Sequence, residues 1–149
     1  MSQFEAFTID EFWDLTYWVY RMDDEAKERI TAFIRDKCAS APGMMQLLIV
    51  IAEMCAATLR QLEPDSVGGF AVLRLNPNAT PAATAVGRIL TATVNRDEAM
   101  QVALIRALLE RAQMKDDGRE VPKVAVDFFG LYSFLLNQLA GRNVAGVAE

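Results

Sequence analysis

The sequence predicts an all-α fold: a single-domain bundle of five or six helices around a central apolar helix at about 43–62. Three observations carry this. Apolar residues recur at helical spacing along most of the chain. Helix-entry residues stand where those segments begin, at Thr8, Asp23, Thr80-Pro81 and Asn95. The 149 residues are 52% hydrophobic and 23% charged, enough to bury a core at the size of one domain.

The first helix is expected at about 9–22. Thr8-Ile9-Asp10-Glu11 is a capping-box pattern, with the glutamate three residues after the threonine. Ile9, Phe12, Trp13, Leu15, Tyr17, Trp18, Val19, Tyr20 and Met22 leave this helix apolar almost all round, which predicts burial on more than one side. Residues 23–39 form the clearest amphipathic helix. Ala26, Ile30, Phe33, Ile34 and Cys38 mark its inner face, acids fill the first turn, and Ser40-Ala41-Pro42-Gly43 is read as its stop.

Residues 43–62 are the most apolar stretch. Gln46, Glu53 and Arg60 lie seven apart, so at about 100° per residue they share one narrow stripe while neighbouring protein covers the rest. The uncharged run before Glu53 falls short of the roughly 20 residues a membrane span needs. Residues 63–80 read as irregular, punctuated by Gly68-Gly69 and Asn76-Pro77. A minor two-stranded element near 70–75 has Lys123–Phe128 as its one plausible partner, and a loop or short helical turn is favoured over it.

Thr80-Pro81 opens a helix of about 81–94, rich in small residues that let helix backbones approach closely. Asn95-Arg96-Asp97-Glu98 reads as a second capping box, before a helix of about 96–114. Pro122 opens the last helix, about 123–140, with Gly141 placed as its C-cap. The expected domain is therefore 1–141, with 142–149 a frayed tail.

Composition excludes much chemistry. With no histidine, no Ser-His or Cys-His pair and no histidine-bearing zinc site can form. Two cysteines make neither a disulfide scaffold nor a four-cysteine site. Val67-Gly68-Gly69-Phe70 is not followed by the Lys-Ser/Thr of a phosphate loop. No cofactor or metal is expected. The net charge of −5 and dispersed basic residues argue against nucleic acid. Met1-Ser2-Gln3-Phe4-Glu5 lacks the basic and apolar regions of a signal peptide, so the expectation is a cytoplasmic chain with reduced thiols. On that expectation the Asn78-Ala79-Thr80 sequon is chance.

Four constellations are candidates. Glu53, Arg88 and Asp127 are lone charges in apolar helices. Buried together, they would form either a small carboxylate site with an arginine clamp or a structural ion pair. Trp13, Tyr17, Trp18, Phe128, Phe129 and Tyr132 belong to two helices with too much apolar surface for the periphery. They pack together in one chain, or form an interface with a second copy or another protein. Met44, Met45, Met54, Met22 and Met100 read as core filling or an adaptable groove. Asp10, Glu11 and Asp14, with Asp23, Asp24 and Glu25, read as helix-start acids before cation ligands.

The leading expectation is a non-enzymatic interaction or assembly module acting through its aromatic helices, as a homodimer or with another protein. A small acidic helical chain also suits an accessory protein of a phage or other mobile element. The alternatives are a carboxylate enzyme or metal site at Glu53 and Asp127, and an apolar-ligand carrier with a cavity of about 300 Å³ or more.

Overall fold

A computed structural model describes residues 6–62, 80–114 and 120–148, with the backbone alone at 112–114, 120 and 142–148. All regular structure among these residues is helical: α1 (Ile9–Arg21), α2 (Asp24–Lys37), α3 (Ala41–Leu62), α4 (Pro81–Val94), α5 (Glu98–Met114) and α6 (Glu120–Ala148). The all-α expectation holds. The stretch 70–75 lies outside the described residues, and its suggested strand partner, Lys123–Phe128, is helical within α6.

Local chemistry sets most boundaries. The Thr8 hydroxyl accepts from Glu11 N, and the Glu11 carboxylate accepts from Thr8 N at 2.9 Å, so the α1 capping box is complete. Met22 turns left-handed (φ 46°) and ends α1. Asp23 then caps α2 through Ala26 N at 2.8 Å. Thr80 caps α4 through Ala83 N, with Pro81 at the first helical position.

Three boundaries differ from expectation. Ser40 starts α3 rather than stopping α2, its hydroxyl accepting from Gly43 N. Pro42 fits that first turn, where no partner for its missing N–H is required. The α5 cap is Asp97, which accepts from Met100 N, and not Asn95, which closes α4. Arg96, at φ 60°, makes the bend between them. Finally, α6 does not end at Gly141 but continues to Ala148, in place of a frayed tail.

The packing has a centre and two flanks. α3 lies against α6, and the α4–α5 hairpin covers both. The α1–α2 hairpin docks through α1 onto α6. Leu47, Leu48, Ile51, Ala52 and Cys55 of α3 are fully buried, which bears out its central place. Each large side chain so buried contributes roughly 1.5–3 kcal/mol. Ala41–Leu62 and Val121–Gly141 are long and apolar enough to cross a membrane by length and composition alone, yet here they are the two central helices of the bundle. Gly43 is required by close approach: a Cβ there would stand 2.8 Å from the Lys37 carbonyl and 3.2 Å from Ala6 Cβ.

The polar stripe on α3 is a seam. The Gln46 side chain accepts from Ala6 N at 2.7 Å and donates to the Phe7 carbonyl at 3.0 Å, clipping the N-terminal segment to α3. One turn pair further on, Glu53 accepts from Gln101 of α5. Arg60 donates to the carbonyls of Thr93 and Val94, the partly unsatisfied C-terminal end of α4.

Candidate functional site

The six predicted interface aromatics separate into two groups. Phe128, Phe129 and Tyr132 are core residues, each 0–1% exposed. Phe12 stacks on Phe129 (centroids 6.5 Å) and on Tyr132 (6.2 Å), while Phe7 meets Phe12 and Phe33. Burial raises the Tyr132 hydroxyl above its usual pKa, and a hydrogen bond to Thr16 opposes that rise. Phe129 and Tyr132 therefore serve α1–α6 packing within one chain, Phe128 is buried in the core, and none of the three forms outer surface. The physical reason is geometric. α1 crosses α6 with Phe12 at the contact, and both rings on α6 turn toward it.

Trp13 and Tyr17 stay outside, at 51% and 58% exposure. Trp18 is half-buried beside α2. The Arg29 guanidinium lies 4.2 Å from its ring and Arg21 lies 5.0 Å away, so cation–π contacts cover it. Outside the six predicted aromatics, Ile9 and Tyr20 on α1 and Val126 and Phe134 on α6 are also exposed, with Met100 on α5.

Ile9, Trp13, Tyr17 and Tyr20 are spaced by four, four and three residues, which places them on one stripe along α1. On α6, Val126 and Phe134 flank Gly130, whose open position has nothing within 4 Å of an added Cβ. The two strips lie on helices in direct contact. Phe12 meets Phe129 and Tyr132, and eight residues on the Tyr20 carbonyl accepts from Asn137, so α1 and α6 run side by side.

The charge trio does not form a buried cluster. Glu53, Arg88 and Asp127 are each exposed. The reason lies in the wheel positions: Arg88 and Asp127 project from the outer sides of their helices, and Glu53 stands at the exposed rim of the α3–α5 seam, bonded to Gln101. Exposure removes the desolvation and pairing that made the trio a candidate carboxylate site.

What does gather near Glu53 is a polar cleft of about 200 Å³ at the α3–α4–α5 end, lined by Glu53, Arg60, Thr93, Arg96, Asp97, Glu98 and Gln101. Gln101, 3% exposed, bridges Glu53 and the Thr93 hydroxyl. Buried polar groups satisfied this way organise a helix junction. The cleft is also smaller and more polar than the apolar pocket a ligand carrier needs.

The remaining candidates have structural roles. Met44 is buried and Met45, Met54 and Met22 pack on the core, while Met100 is exposed. Glu11 and Asp23 are caps, and no group of three metal-ligating side chains occurs among the described residues. Cys38 and Cys55 are free and buried, and burial pushes both thiols up to about 12. Such thiols are almost wholly protonated near neutral pH and make poor nucleophiles.

Compared with known proteins, the chain matches no family model, and no curated protein or solved structure matches it significantly.

Proposed function

We propose that this protein is a non-enzymatic assembly module that self-associates through the exposed face of α1 and the neighbouring strip of α6. One observation carries the reading. Among the described residues, six of the seven exposed large apolar side chains lie on these two adjacent helices, with Met100 the exception. Singly scattered apolar residues on a surface need no explanation, but aligned and contiguous ones mark interaction surfaces.

The area supports a second copy as occupant. Aromatic side chains offer about 150–250 Å² each, so the exposed parts of Trp13, Tyr17 and Tyr20 amount to on the order of 300–350 Å². With Ile9, Val126 and Phe134, each copy offers on the order of 600 Å², against about 800 Å² per partner in a standard interface. An interface slightly below standard size suits a reversible dimer rather than a permanent one. Trp and Tyr are also the residues most enriched in interface hot spots. The reading assigns no catalytic residue, cofactor, nucleic acid or membrane. A cytoplasmic location is proposed with it, in keeping with the free thiols of Cys38 and Cys55.

Sedimentation equilibrium over a concentration series tests it. The expected result is a mass rising from 16.5 kDa toward twice that value. A paired Trp13→Ser and Tyr17→Ser variant should hold at the single-chain mass, with a thermal melt at high dilution matching that of the dilute wild-type monomer. A strictly monomeric wild-type chain overturns the reading, and so does a double variant that still assembles.

A further inference from the structure

Resting on that self-association, we infer its geometry: two copies pair α1 against α1 in antiparallel fashion about a two-fold axis that crosses the exposed stripe between Trp13 and Tyr17, at the height of residue 15. Charge on one edge of the stripe carries the inference. Asp10, Asp14 and Arg21 project from α1 within about 40° of one another, at about 100° per residue. They flank one side of the Ile9–Trp13–Tyr17–Tyr20 stripe. α6 lies against the other side, where Phe12 and Thr16 reach Phe129 and Tyr132. The acids occupy the first half of the helix and the arginine its last turn.

A two-fold axis that reverses the helix keeps each edge facing the same edge of the partner helix. Centred at that height, it sets Trp13 against the partner's Tyr17, and Asp10 against the partner's Arg21. Residues 10 and 21 lie about 16 Å apart along α1, at about 1.5 Å per residue, so two charge pairs bracket the aromatic contact symmetrically. The Asp10–Arg21 pairs repeat on both sides of the axis, as an isologous dimer requires, and they offset the repulsion of the two Asp14 carboxylates that the same axis brings nearly level with each other. The same axis keeps α6 on the opposite edge in both copies, which brings their Val126–Gly130–Phe134 strips to one side.

A parallel two-fold would send the charged edges to opposite sides, where they would not meet. Arg21 is partly engaged by Asp23 and by the Tyr17 and Trp18 rings, which hold its guanidinium beside the stripe. All of these groups are exposed, so the pairing sets register and orientation, and aromatic burial supplies most of the affinity.

Charge exchange tests the arrangement. Asp10→Lys and Arg21→Glu are each measured alone and then mixed in equal amounts, by sedimentation at low salt, with circular dichroism to check the fold. Each variant alone puts like charges opposite at both ends and should dimerise about tenfold more weakly than wild type. The mixture restores opposite charges at both ends and should form heterodimers within about threefold of wild-type affinity. A wild-type dimer unaffected by either variant overturns the antiparallel geometry and leaves self-association standing. Weakening by both variants without recovery on mixing overturns it as well. A monomeric wild type fails the underlying reading instead.

Discussion

Phe12 and Trp13 are neighbours in the chain and opposite in fate. Phe12 is fully buried between Phe7, Phe129 and Tyr132, whereas Trp13 is half exposed on the outer side of the same helix turn. The contrast extends along α1. Phe12, Leu15 and Val19 turn inward, while Ile9, Trp13, Tyr17 and Tyr20 turn out. Both sets are apolar, so hydrophobicity does not separate them. What separates them is the presence of α6 on one side of α1 and its absence on the other. An apolar face that the chain leaves uncovered is the one available to a second molecule.

The largest expected effect breaks the inner half. Phe12→Ala or Phe129→Ala removes a ring from the α1–α6 contact and should cost about 3–5 kcal/mol. For a chain of this length that lowers the melting temperature by roughly 10 °C, read by circular dichroism. Trp13→Ala should change the melt of the dilute monomer by less than about 0.5 kcal/mol. Equal losses from the two substitutions would erase the distinction between the faces.

The outer half responds in assembly. Trp13→Ala and Tyr17→Ala should each weaken the dimer by at least about 2 kcal/mol, a roughly 30-fold rise in dissociation constant by isothermal dilution. The glycines sharpen the same contrast. Gly43→Ala forces a Cβ to 2.8 Å from a backbone oxygen and should destabilise by about 1–3 kcal/mol. Gly130→Ala meets open space within the chain and should raise helix stability by up to about 1 kcal/mol in the melt of the dilute monomer.

The smallest effect concerns the start of α1. Thr8→Ala should cost about 1 kcal/mol by loss of the capping box. Glu11 is held below its ordinary value of 4.5 by the Thr8 backbone N–H first and Lys37 next. Asp23 is held below 3.8, chiefly by the Ala26 backbone N–H and also by Arg21. Both are lower in the folded chain than in the unfolded one. Their stabilising effect is therefore complete above the ordinary carboxylate range and is lost as pH falls through their folded values. Melting temperatures taken from pH 7 to pH 2 should decline over that acidic window, with a shallower decline in Glu11→Gln.

Most of the fold was legible because its signals are local. Thr8 and Glu11, Asp23, and Thr80-Pro81 each announce a helix start by groups within four residues. Where adjacent signals compete, sequence reading assigned them to the wrong partner. Ser40 and Asp97 start the next helix, and glycine at 141 does not stop a helix already favoured by its neighbours. The site was less legible. The aromatic excess on the first and last helices was visible, but its division was not, because Phe129 and Tyr132 are buried by Phe12, more than 100 residues distant along the chain. The spacing of Ile9, Trp13, Tyr17 and Tyr20 by four, four and three residues sets them on one stripe apart from Phe12, a signal hidden because the helix is apolar almost all round. The lone charges Glu53, Arg88 and Asp127 misled for a related reason: an apolar helix still has an outer side or an exposed rim, and each of them occupies one.

The most direct test follows Trp13 itself. In a Trp18→Phe variant, Trp13 is the sole indole, and its emission reports the environment of the outer stripe. The account predicts a solvent-exposed spectrum at high dilution that shifts to the blue as concentration rises, in step with the solution mass. A mass that rises while the emission stays solvent-exposed would place the interface elsewhere. Neither changing across the series would contradict self-association through α1.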